Sequence, residues 1–186
     1  MNIGFALCGS FCTYSAVFPI MEELAKSHHI TPILSPAAAT TDTRFGSAQE
    51  HIQRLTDICG RAPLTTITDV EPIGPKRLLD ILVIAPCTGN TLAKLSHGIA
   101  DTTVTMAAKS HLRNGRPILI GISSNDALSA GAENLGRLLN RKHYYFVPFG
   151  QDDPFEKPFS MVAKFEKLPQ ALRAAKEGYQ LQPLLI

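Results

Sequence analysis

The sequence predicts an α/β protein: one doubly wound parallel sheet with helices on both faces, a Rossmann- or flavodoxin-like three-layer sandwich. Three observations predict it. Continuous apolar runs of strand length, Asn2–Leu7, Ile81–Ala85 and Pro117–Gly121, suit strands buried on both faces. Segments with apolar residues at helical spacing lie between them. The loops that leave the runs are rich in Gly, Ser, Thr and Asn, which begin helices. Strands alternating with helices through right-handed connections give such a sheet, and its ligands bind beyond the carboxyl ends of the strands, where the strand order switches.

The elements follow in order. Asn2–Leu7 is expected to be a central strand, and Val17, Ile20, Met21 and Leu24 mark a helix to about Lys26 with Pro19 loosening its early turns. A short strand at 30–34 contains Pro32, which cannot donate to a ladder, so it belongs near a sheet edge. Arg44 to Cys59 reads as a helix stopped by Gly60, and a weak strand is expected at 64–67. The strand Ile81–Ala85 leads through Cys87-Thr88-Gly89-Asn90 into a helix. Asp101 is expected to cap the next one, from Thr102 to about Leu112, which Asn114-Gly115 ends. After the strand at 117–121, Ser123-Ser124-Asn125-Asp126 is expected to open a further helix, followed by a strand at 144–147. Residues 1–186 are expected to form a single domain, with an extended C-terminal tail from about 150 and a last helix at 169–176.

Composition excludes several classes. With 45% hydrophobic and 18% charged residues the chain can build a core and is not of the disordered type. Its longest apolar runs fall far short of the roughly 20 residues of a membrane span, and its start carries no export pattern, so a cytoplasmic protein is expected. The net charge of +2, with no basic stripe, argues against a nucleic-acid partner. Cys8, Cys12, Cys59 and Cys87 lack paired metal-type spacing and read as reduced thiols, with no metal site.

Three loops leave strand ends and enter helices: Cys8-Gly9-Ser10-Phe11-Cys12-Thr13, Pro86-Cys87-Thr88-Gly89-Asn90-Thr91 and Gly121-Ile122-Ser123-Ser124-Asn125-Asp126. Each offers backbone amides at a positive helix end, where a phosphate is stabilised, and Ser10, Thr88 and Thr91 add hydroxyls. Capping alone explains any one of them; three that converge point to a site for a phosphorylated aromatic cofactor. Neither the triphosphate-binding nor the dinucleotide glycine pattern is present. His28 and His29 fall at a helix end, and His51, His97, His111 and His143 read as structural residues of helix surfaces or loops. Among the cations, Arg44 follows the second strand on the same edge as these loops and is the candidate for a carboxylate, with an ion pair to Asp42 or Glu50 as its alternative. Lys76, Arg77 and Arg116 precede strands and belong at the opposite end.

The run Leu79-Asp80-Ile81-Leu82-Val83-Ile84-Ala85-Pro86-Cys87-Thr88-Gly89-Asn90-Thr91-Leu92-Ala93-Lys94-Leu95, continuing to Gly98-Ile99-Ala100-Asp101, resembles the signature of the flavin-dependent cysteine decarboxylase superfamily. Gly9-Ser10 is similar to its N-terminal flavin loop. Within that superfamily, Cys12-Thr13-Tyr14-Ser15-Ala16-Val17-Phe18-Pro19, Asn125-Asp126-Ala127-Leu128 and Pro148-Phe149-Gly150-Gln151-Asp152-Asp153-Pro154-Phe155 resemble the B subunits of dipicolinate synthases. The resemblance implies flavin mononucleotide (FMN) held by Gly9, Ser10, Phe11, Ser35, Thr88, Gly89, Asn90, Thr91 and Ser123. It makes Asn90 the catalytic candidate and Asn125, beside Arg44, a substrate contact. It further implies an A subunit that carries NAD(P), a small dicarboxylate substrate, homo-oligomers of trimers or larger, and a place in the mother-cell cytoplasm during sporulation. The implied activity is the oxidation of dihydrodipicolinate to dipicolinate. A non-catalytic companion that binds product or positions the A subunit is the alternative. Two departures count against decarboxylation: the stretch Val70-Glu71-Pro72-Ile73-Gly74-Pro75 lacks the decarboxylases' His, and Ile122-Ser123-Ser124-Asn125-Asp126 replaces their Pro-x-Met-Asn segment.

Overall fold

The computed structural model describes residues 1–186. Its strands are β1 (Asn2–Leu7), β2 (His29–Leu34), β3 (Ile81–Cys87), β4 (Ile118–Ser124), β5 (Tyr144–Phe146), β6 (Phe149–Asp153) and β7 (Lys157–Ala163). Its helices are α1 (Tyr14–Ala25), α2 (Pro36–Thr40), α3 (Ala48–Cys59), α4 (Ile67–Val70), α5 (Gly89–His97), α6 (Thr103–Leu112), α7 (Ala132–Leu139) and α8 (Leu168–Glu177). The strands form one sheet in the order β2-β1-β3-β4-β7-β6, with β5 also on β4. The pairs among β1 to β5 are parallel, while β7 is antiparallel to β4 and to β6. The expected α/β sandwich is therefore present, with an antiparallel hairpin added.

Seven residues let β4 serve two partners along the edge away from β3. Ile118, Leu119 and Ile120 pair with β5, and Ser123 and Ser124, further along, pair with β7. Helices α1 and α8 pack together on one face of the sheet, α4, α5, α6 and α7 line the other, and α3 packs on α1 beside β2. Every residue of β3 is buried, which explains why its sequence is an unbroken apolar run rather than an alternating one. Residues from all these layers join one apolar core.

Several elements differ from expectation, each for a local reason. The helix expected from Arg44 begins at Ala48, because Ser47 and Glu50 form a reciprocal capping box there; Arg44 instead lies in the turn Thr43–Gly46. Asp101 does not cap α6. Thr102 does, through a box with Thr105, while Asp101 pairs with Lys94 at 2.7 Å. No strand forms at 64–67: Leu64 makes a single bridge to Ile33, and α4 follows. Ser123 to Asp126 does not open a helix, since Ser123 and Ser124 continue β4 against β7 and the next helix waits until Ala132. The segment after Gly150 is not an extended tail: β6 and β7 join the sheet, and α8 packs on it. His51 and His111 are buried, not surface residues.

Candidate functional site at the strand ends

Strand order places the switch between β1 and β3, because the chain leaves β1 for β2 on one side and returns to β3 on the other. The loop after β1 is tied to β3 by Cys8 N–H, which donates to the Pro86 carbonyl at 3.2 Å. It then enters a short 3-10 turn, Phe11–Thr13, that runs into α1. The Ser10 hydroxyl does not cap that turn; it meets the Ser123 hydroxyl, at the end of β4, at 2.7 Å. The loop after β3 joins the same cluster, with Thr91 Oγ1 3.3 Å from Cys8 Sγ and 3.5 Å from Thr88 Oγ1. Gly89 is required where it stands. A Cβ there would lie 2.6 Å from both Asp126 Oδ1 and Ser124 Oγ, closer than real contacts allow. The third loop thus seats against the second.

Helices α3, α4 and α6 close their first turns with complete capping boxes. At α5, by contrast, Thr88 makes no side-chain cap bond, and its helix leaves first-turn amides free of intrahelical partners. Gly9 N–H, on the neighbouring loop, has no backbone acceptor either. Free amides and hydroxyls of Ser10, Ser123 and Thr88 at a positive helix end constitute an anion cradle.

The structure brings Gly9, Ser10, Thr88, Gly89, Thr91 and Ser123 together. Ser35 lies next door: a Cβ on Gly9 would sit 3.5 Å from Ala37 Cβ, and Ser35 caps α2 by accepting from Ala38 N–H at 3.2 Å. That cap uses the Ser35 oxygen and leaves its hydroxyl hydrogen to donate. Phe11 is half-buried beside the cradle, and Asn90 is exposed at the start of α5. Asn125 is exposed in the turn after β4. Arg44 stacks 4.9 Å from the Phe45 ring and forms neither of its alternative ion pairs, since Asp42 accepts from Ala48 N–H and Glu50 from Ser47. Asn125 belongs to the third loop, but no side-chain hydrogen bond or ion pair ties it or Arg44 to the other loop residues. Lys76, Arg77 and Arg116 stand at the opposite end, where Arg116 donates to the Arg77 and Leu79 carbonyls.

One residue escaped sequence reasoning, and another was read only as part of the third loop. Asp126 faces the start of α5 and accepts the Ser124 hydroxyl, so a second anion is favoured on the Gly9 and Ser10 side of the cradle rather than against Gly89. His51, at the first turn of α3, packs against Phe11; no sequence pattern marks its position. Burial disfavours the reactive thiolate form of the two thiols at this end. Burial pushes Cys8 up to about 11, against the lowering effect of its bonds to Thr91 and Thr88, and burial likewise raises Cys87 well above the usual thiol range.

The residues fit a phosphorylated aromatic cofactor: amides and hydroxyls suit a phosphate, and Phe11 offers an aromatic face beside them. The site is an open shelf. Recesses of about 400, 250 and 540 Å³ lie elsewhere, the first against Ile99, Leu112 and Tyr144, and none takes its lining from the three loops.

The profile of the Flavoprotein family matches residues 1–164. The dipicolinate synthase B subunit of Bacillus subtilis (strain 168) is 48% identical over 186 residues, covering 100% of this chain and 93% of that protein. The crystal structure of the dipicolinate synthase B subunit from Bacillus halodurans superposes with a TM-score of 0.91 at 45% identity, covering 100% of this chain and 95% of that one. The FMN-dependent cysteine decarboxylase SpaF superposes at 0.67 with 25% identity, covering 94% and 97%. No helix is long and apolar enough to cross a membrane.

Proposed function

The chain belongs to the flavoprotein family and, within it, to the dipicolinate synthase B subunits; from that premise we propose that it binds FMN at the strand-end shelf and takes part, with an A subunit carrying NAD(P), in the oxidation of dihydrodipicolinate to dipicolinate. The observation that carries this reading is the junction of three loops at the β1/β3 switch, held by the Ser10–Ser123 hydroxyl contact, with α5 left uncapped beside it. Oxidation is preferred to decarboxylation because 70–75 lacks the His of the decarboxylases.

In this reading Gly9 N–H and the hydroxyls of Ser10, Ser35, Thr88 and Ser123 hold the phosphate, and Phe11 packs on the ring. Aromatisation removes two electrons and two protons, and a bound flavin supplies the two-electron acceptor. Asn90, free of side-chain partners, offers an amide donor and acceptor to the substrate edge. Arg44 supplies the planar fork that carboxylates prefer, and Asn125 borders the same mouth. An open shelf leaves the reacting side to be covered by another protein chain, either a second copy in a trimer or larger assembly, or the A subunit. Such an enzyme would work in the mother-cell cytoplasm of a sporulating bacterium.

The test is reconstitution. Dipicolinate formation is measured with both subunits and with each alone, with FMN present or stripped. The reading predicts that turnover needs both proteins and falls when FMN is removed; turnover by the A subunit alone at the full rate would overturn it and leave a non-catalytic companion.

A further inference from the structure

His51 holds the only buried side-chain nitrogen or oxygen without a hydrogen-bond partner, its Nε2. The residue is 6% exposed, and its ring lies among Phe11, Tyr14 and Phe18, with centroids 6.2, 4.9 and 5.9 Å away. Its aromatic surroundings explain the ring but not the nitrogen, since a phenyl group would fill the same space without an orphaned polar atom.

What covers that nitrogen is a backbone turn. Thr43 and Gly46 exchange both N–H···O bonds, at 3.0 and 3.1 Å, and Phe45 N–H donates to Thr43 Oγ1, so the turn is a self-bonded unit. Gly46, at φ +128°, lies on the imidazole; a Cβ there would be 2.8 Å from Cε1 and 3.1 Å from Nε2. The roof therefore presents aliphatic backbone to a group that needs a polar partner. The same turn carries Arg44, which has no acidic partner, and Phe11, stacked against the ring, belongs to the loop that forms the cradle. An Arg without an acidic partner thus lies on the turn that covers an imidazole nitrogen without a hydrogen-bond partner, and the imidazole packs on Phe11 of the first loop.

We propose that His51 is a ligand-binding residue: the Thr43–Gly46 turn lifts from its ring, and protonated Nε2 joins Arg44 in holding a carboxylate of the dicarboxylate beside Phe11. This inference rests on the dicarboxylate reading given above. The charged and titratable groups around the imidazole are Glu50 and Arg54 on α3, Glu22 and Tyr14 on α1, and Asp42 and Arg44 on the turn and its stem; none hydrogen-bonds it. Burial lowers the imidazole below its ordinary range, Glu50 raises it and Arg54 lowers it. Burial therefore favours the neutral ring in the free protein, and engaging a carboxylate draws in a proton. Linkage then strengthens binding as pH falls, by up to about tenfold per unit while the free imidazole stays neutral.

The full-length protein, loaded with FMN, is titrated with dipicolinate by calorimetry from pH 8 to 6, in buffers of different ionisation enthalpy. Uptake of one proton per site, and a pH slope that disappears in His51→Gln, are expected. An imidazole Cε1–H resonance of the parent protein, followed by NMR, should titrate at higher pH with dipicolinate than without it, a readout that does not depend on the variant's folding. Binding that is independent of pH, a slope that survives in His51→Gln, or an unshifted imidazole titration would overturn the inference while leaving the dicarboxylate reading in place. A parent protein that binds no dipicolinate at any pH would remove both.

Discussion

Ser10 is the residue on which the cradle depends most directly. Its hydroxyl spans from the first loop to Ser123 on β4, and Ser10→Asp puts a carboxylate where the phosphate is proposed. Losing one charge-assisted hydrogen bond costs about 1.5–3 kcal/mol, so FMN affinity should weaken by at least roughly tenfold, as measured by fluorescence titration with a melting curve to show that the fold survives. An unchanged affinity would move the phosphate elsewhere. Asn90→Asp is the companion experiment. Helix starts tolerate Asp well, so stability should hold while dipicolinate binding falls; a variant that binds normally would make Asn90 a helix residue and no more. Residue chemistry was legible where it came in a loop pattern, as with Gly9, Ser10, Thr88 and Ser123. His51 was not legible, because nothing in a lone His on a polar helix shows that Phe11 and Tyr14 will close over it.

Helix starts offer a second comparison. Thr102 accepts from Thr105 N–H and caps α6, whereas Thr88 makes no such bond at α5. Thr102→Ala should therefore cost about 1 kcal/mol of stability and leave FMN binding alone, while Thr88→Ala should do the reverse; urea unfolding alongside FMN titration compares them, and equal stability losses would contradict the assignment. A second test concerns α6 and β4. His111, buried on α6, donates from Nε2 to the Pro117 carbonyl at 3.0 Å, and burial, opposed by that bond, lowers it to about 4. The unfolded chain then binds the extra proton between about pH 6.5 and 4, so stability is complete above that window and falls through it. His111→Gln should flatten the fall, by about 1–3 kcal/mol at pH 4. Element types were readable from apolar runs, but starts were not. Arg44 and Asp101 lost their places in helices to Ser47 and Thr102, whose boxes required the partners three residues on.

At the scale of the whole molecule, apolar β3 between helical segments was enough to read the sandwich and to locate the end where ligands bind. The hairpin was not readable. Ser123 and Ser124 look like helix openers, and only the pairing of Ser123 with Val162 and of Ser124 with Met161, across some forty residues of chain, makes them strand. That pairing matters to the site, since it holds Ser123 against Ser10. Whether the assembled shelf holds a flavin therefore decides the proposed function. The most direct measurement is the visible absorbance spectrum of the untagged full-length protein, as purified and after incubation with FMN and removal of the excess. A flavin spectrum that stays with the protein at one per chain is the predicted result; a protein that is colourless as purified and takes up no FMN would contradict it.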